Sequence, residues 1–400
     1  MTSPVDTSVK YFHSDMLNAP ALTGAAGTLI TLLDACLKDG FDIKTLVSLT
    51  VVGGVATATW TGTHSALPES VVFIAGVTGT LVALNGEQKV VSKPGSTSIT
   101  FATAAPDGTA AGTITMKMAP LGWLKPFVSG SVAAYKSADV ASAGFLLRVD
   151  DTAATFARVR GYESMTDVNT GAGLFPLDVQ ISGGGYWPKS NAAGSTAIPW
   201  QIFGDGRMFY ITTAPARTSG PGYLNGNVRG FGEGLASKPG GDPYFTLLSC
   251  SATSVVDDMW DGDFGQTQAR IYSPRLYTGI GSAVAQSTRA YTGAGGFSGF
   301  TTTLGSFPSS IDGSLFLSRK YVSIDGNSPR GDLPGFLHIP QSLVYDSIKH
   351  KDMVPGSGSL AGRKLMAFPT GGAVAFASGV TTTATNAAVA LMDITGPWRS

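Results

Sequence analysis

Glycine placement limits what this chain can fold into. Of its 400 residues, 52 are glycine, nearly twice the usual share of about 7%. Most sit in pairs or beside Asp, Asn, Ser or Thr, without a collagen-like period. Such positions favour positive φ, so the pattern predicts many tight turns between short strands.

The apolar pattern agrees. From Leu46 it alternates with period two: Leu49–Val52, the Gly53-Gly54 turn, then Val55–Trp60. Val71–Ala75, Ile99–Phe101 and Ile114–Met118 continue the series, with Asp107-Gly108 as another turn. So many short strands in so few residues read as a small β-sandwich or barrel, and an Ig-like sandwich is expected. Further on, Gly144–Val149 with Phe156–Arg160, and Trp200–Phe203 with Met208–Ile211, read as hairpins. Asp205-Gly206 predicts a type I′ turn in the second. Tyr244–Cys250, Leu315–Ile324 and Lys364–Phe368 add strands. The Gly/Pro-rich intervals Thr218–Pro243 and Tyr291–Pro308 predict extended surface loops.

One helix is predicted, from Thr23 to Leu37, stopped by Gly40. Leu29, Leu32, Leu33, Cys36 and Leu37 share a face, while Ala25, Ala26 and Ala35 leave the other side small and uncharged. A helix facing water would carry Lys or Glu there, so it is expected to pack between its own sandwich and a neighbouring subunit. Four hundred residues exceed one ordinary core. The expected organisation is an arm and helix over residues 1–45, a small β-sandwich domain over 46–118, and a larger antiparallel β-rich domain with long loops over 119–400. The fold class is mainly β.

Charge is scarce and balanced: 27 basic and 27 acidic residues, 14% in all, against roughly 25% in an average domain. Nothing in that balance calls for nucleic acid or membrane insertion. It also supplies little colloidal repulsion, which suits a protein that works inside an assembly. The N-terminus carries no basic region followed by an apolar run, so no signal peptide is expected, and no stretch offers the ~20 apolar residues of a membrane helix. Cys36 and Cys250 match no metal or redox spacing and read as buried free thiols of a chain made in a cytosol.

No catalytic, cofactor-binding or metal residues are expected. Asp257–Asp263 resembles a calcium loop, but Met259 and Gln268 stand where acidic ligands belong, so it reads as a solvated turn. Arg330-Gly331-Asp332 is a chance tripeptide. Glu163, Asp167 and Glu233 could supply the paired carboxylates of a glycan hydrolase, yet read better as surface acids. Tyr186-Trp187 reads as a loop anchor rather than a sugar platform. His13, His64, His338 and His350 lack metal-ligand spacing, and Gly230–Gly234 lacks the lysine and helix of a phosphate cradle. The chain is not expected to be an enzyme.

Several segments resemble an uncharacterised family of virion structural proteins of tailed bacteriophages and prophages, associated with the tail or baseplate. They are Tyr11–Phe41, Ala83–Glu87, Val159–Gly171, Tyr186–Ser190, Gly204–Arg207, Gly331–Gly335 and Gly396–Trp398. They span nearly the whole chain, and none is a mechanistic motif. The resemblance implies a tail-tip or baseplate subunit contacting copies of itself and other virion proteins, made in the host cytoplasm. A receptor-binding fibre or spike touching a host surface receptor and a capsid decoration protein remain open.

Overall fold

The computed structural model describes residues 3–215, 226–254, 269–292, 304–324, 328–344, 347–370 and 389–399. It is mainly β, 47% strand against 7% helix.

Six strands close into a barrel rather than a sandwich. Phe41–Val52 pairs with Val55–Trp60 on one side and Thr115–Met118 on the other. The ring continues through Ser98–Ala102, Gly86–Gly95 and Val71–Ala75, which returns to Thr115–Met118. Closure comes from the first strand. It is twelve residues long, and its register breaks between Leu46 and Ser48 and between Phe41 and Lys44. Such irregularities bend a strand, so its two halves serve opposite sides of the ring. The interior is filled by Leu49, Ala58, Ile74, Ile99, Phe101 and Met116, all buried. The Gly53-Gly54 turn forms as expected: φ is 58° and 79°, and Val52 faces Val55.

Most of the remaining strands make an extended antiparallel network. The two expected hairpins form, with Arg148 opposite Arg160 and Phe203 opposite Tyr210. The second turn differs from type I′, since neither Asp205 nor Gly206 has positive φ. Asp205 Oδ1 instead accepts the N–H groups of Arg207 (2.8 Å) and Met208 (2.7 Å), so a side chain closes the loop. Three more strands appear as Thr246–Ser251, Ser318–Ser323 and Lys364–Pro369.

The interval Thr218–Pro243 is not simply a surface loop. Residues 216–225 lie outside the described residues, but Asn227–Glu233 is a fully buried strand between Met208–Thr213 and Thr246–Ser251. Its glycines serve close packing: a Cβ on Gly232 would lie 2.2 Å from the Arg207 carbonyl oxygen. Of Tyr291–Pro308, residues 293–303 also lie outside the described residues.

The helical segment begins at Thr28, because Leu22–Gly24 is a short strand paired with Gly194–Ile198. It runs α-helical to Leu33, then as a π-helix over Asp34–Asp39. Leu29, Leu32, Leu33, Cys36 and Leu37 are all buried. The segment is tied to the larger sheet by three hydrogen bonds and to the barrel by Lys117 Nζ, which donates to the Asp39 carbonyl. The Tyr135 hydroxyl donates to Asp34 Oδ1 (2.9 Å), Lys125 Nζ meets Asp34 Oδ2 (2.5 Å), and Leu121 N–H donates to the Cys36 carbonyl (2.9 Å). One hydrophobic core runs from the barrel through this helix into the larger sheet, and a smaller cluster gathers around Ile339, Val344 and Leu391.

Candidate interaction surface

Barrel closure removes sheet edges there. In the larger sheet, the Trp123–Ser129 strand pairs, among the described residues, only with Val132–Ser137. That edge carries Lys125, Pro126 and a register break after Leu124, features that discourage strand addition. Contacts with other molecules are therefore better served by faces.

One uncharged face lies on the outside of the barrel. Alternation sends Leu49, Val51, Ala56, Ala58, Ile99 and Phe101 inward and their neighbours outward. Register sets the outward residues in rows across the strands. Thr109, Thr50, Thr57, Thr100 and Ser92 form one row; Ser48, Thr59 and Ser98 form a second; Val52, Val55 and Ala102 form a third. Strands lie about 4.8 Å apart, so each row is a regular ladder. Two hydroxyl pairs satisfy each other, Ser48–Thr59 at 2.6 Å and Ser92–Thr100 at 2.7 Å. Val52 is 72% exposed and Val55 46%. Charge begins at the margins, where Asp107 Oδ1 accepts the Gly53 N–H (2.8 Å) and Lys93 Nζ donates to the His64 carbonyl (3.0 Å). Farther round, Ile43 and Val47 are also exposed.

Such a face has no titratable group and therefore no proton chemistry. It loses water cheaply, since no ion must be desolvated and part of its hydroxyl bonding is already internal. It suits contact with another surface.

The candidate residues read from the sequence are scattered and engaged. Glu163 is clamped by Arg275 (2.6 and 2.9 Å). Asp167 Oδ1 accepts the N–H groups of Asn169 (2.7 Å) and Thr170 (3.0 Å), which holds its carboxyl below the usual range. Glu233 takes Ser142 Oγ, Ala143 N–H and Arg207. Trp187 is buried, with Nε1 donating to the Ser249 carbonyl (2.7 Å), while half-buried Tyr186 lies under the Arg158 guanidinium. Arg330 is buried against Asp242 (2.8 Å), and Asp332 accepts from Tyr291, so the tripeptide is not displayed. Gly230–Gly234 runs along a buried strand and its end. Asp257–Asp263 and Gln268 lie outside the described residues. Cys36 and Cys250 are buried free thiols, and burial pushes Cys250 up to about 12. Ala25 and Ala26, expected on the helix, precede its start at Thr28 and are exposed, while Ala35 is half-buried. Among the described residues no cluster of His, Cys, Asp or Glu could hold a metal, and no helix is long and apolar enough to cross a membrane.

Among the described residues the histidines join no metal-holding cluster. His64 Nδ1 accepts the Ala66 N–H (2.9 Å), with Nε2 3.9 Å from Asp42. His338 sits opposite Ser318 at a strand end. His13 is buried, and burial followed by Lys351 lowers its pKa from 6.5 to about 4; His350 adds repulsion. The unfolded chain therefore takes up this proton first as pH falls. The stability attributable to neutral His13 is complete above pH 6.5 and lost progressively down to about 4. Denaturation midpoints across that window should fall less steeply for His13→Gln than for the parent. Parallel curves would refute this assignment.

The hydroxyl rows escape sequence reading because they are assembled by pairings between strands distant in the chain. Thr57 and Thr100 become neighbours only when the barrel closes. Neither a scan against protein-family models nor a search of curated proteins finds a match to this chain.

Proposed function

We propose that this chain is a non-enzymatic structural subunit of a tailed-bacteriophage virion, at the tail tip or baseplate, packing against its own copies and other virion proteins through the barrel's uncharged face. The observation that carries the reading is that face: ordered Thr/Ser rows beside exposed Val52 and Val55, without a charge. Low overall charge and the resemblance of segments along the chain support the virion context. A receptor-binding spike or a decoration protein would use the same kind of surface elsewhere on the particle. A glycan hydrolase has less support, because Glu163 and Glu233 are each held by arginine. The protein would be made in the host cytoplasm and leave within the particle. Mass spectrometry of purified particles from the phage or prophage that encodes the chain should detect it in stoichiometric amounts. Its absence from mature particles would overturn the proposal.

A further inference from the structure

We propose that Lys189 and Asp151 condense to an isopeptide amide, cross-linking the residue after the Leu146–Asp150 strand to the residue after Gly185–Pro188. Both side chains are completely buried and in direct contact. Lys189 Nζ also donates to the Ala25 carbonyl (2.7 Å), and Asp151 Oδ2 accepts the N–H groups of Leu29 (2.8 Å) and Ile30 (3.4 Å). The backbones are fixed as well: Asp151 N–H donates to Ser131, its carbonyl accepts from Gly27, and Lys189 N–H donates to Thr155. Amine and carboxyl are thus held together with little freedom left to lose.

The step balances within the pair. One ammonium proton passes to Asp151 Oδ1, giving a neutral amine and a neutral acid. The Nζ lone pair attacks Cγ, the Cγ–Oδ1 bond breaks, and Oδ1 leaves as water with a second proton from Nζ. Oδ2 remains as the amide oxygen. The Leu29 and Ile30 N–H groups point at that oxygen, where negative charge develops during attack. No oxidant or further reactant is needed. A dry interior disfavours the ion pair relative to neutral groups, and burial raises the Asp151 pKa accordingly. The buried Arg330–Asp242 pair has no such route, because a guanidinium stays protonated.

The test is the mass of the denatured full-length protein after the folded protein has been held until its mass is constant, followed by protease digestion. The expected result is a mass one water below that of the sequence and a branched peptide joining Lys189 to Asp151. Lys189→Met prepared alongside should show its full sequence mass. If that variant does not fold, the branched peptide from the parent still decides. The parent at full sequence mass would overturn the proposal. So would water loss without a branch, as from succinimide formation at Asp107-Gly108 or Asp205-Gly206.

Discussion

Trp398→Ala is expected to cost the folded state about 3–5 kcal/mol, a large share of the roughly 5–15 kcal/mol that holds a typical domain together. The indole is 8% exposed, donates through Nε1 to the Asp393 carbonyl (2.7 Å), and meets the Tyr210 ring edge-on at 5.9 Å. It lies against Gly335, whose φ is +68° and where a Cβ would come within 2.2 Å of the indole. Backbone on that side cannot supply side-chain atoms to refill the hole. The next residue spreads the effect, since Arg399 binds Asp205 Oδ2 (2.7 Å) and the Glu233 carbonyl (2.5 Å). Gly335→Ala should destabilise in the same direction through overlap with the ring. Chemical denaturation of parent and variants measures both. A cost for Trp398→Ala under about 1 kcal/mol would mean the tail is not part of the core.

Asp151→Ala should be comparably damaging, because removing one partner of a buried ion pair typically costs about 3–5 kcal/mol. The Lys189 ammonium would keep only the Ala25 carbonyl, and the Leu29 and Ile30 N–H groups would lose their acceptor. Loss of the proposed amide would only enlarge the effect. Much of the penalty is the stranded charge, so Asp151→Ala combined with Lys189→Met should be more stable than Asp151→Ala alone. If the double variant is less stable, the buried charge is not the dominant cost.

Local features of the fold were legible in the sequence. The Gly53-Gly54 hairpin, the Arg148/Arg160 and Phe203/Tyr210 hairpins and the buried leucine stripe follow from period, turn residues and short range. What was missed depends on distant partners. A strand read alone cannot say that Phe41–Val52 bends to close a barrel. Glycines that admit a neighbouring strand at Gly232 look, in sequence, like glycines of a loop. Asp205-Gly206 carries the letters of a type I′ turn, but the carboxylate competes with the backbone for the same N–H groups. Asp151 and Lys189 show no sequence signal, because burial brings them together across 38 positions. The interaction surface was hidden for a related reason: its threonines look like ordinary strand formers until register aligns them.

The most direct test of the account is a cryo-EM map of the parent phage particle that locates this chain. The chain should lie at the tail tip or baseplate, with the Thr50, Thr57 and Thr100 row and the Val52–Val55 tip covered by a neighbouring subunit. A map in which the chain is missing, or in which that barrel face points into solvent while other surfaces make the contacts, would contradict it.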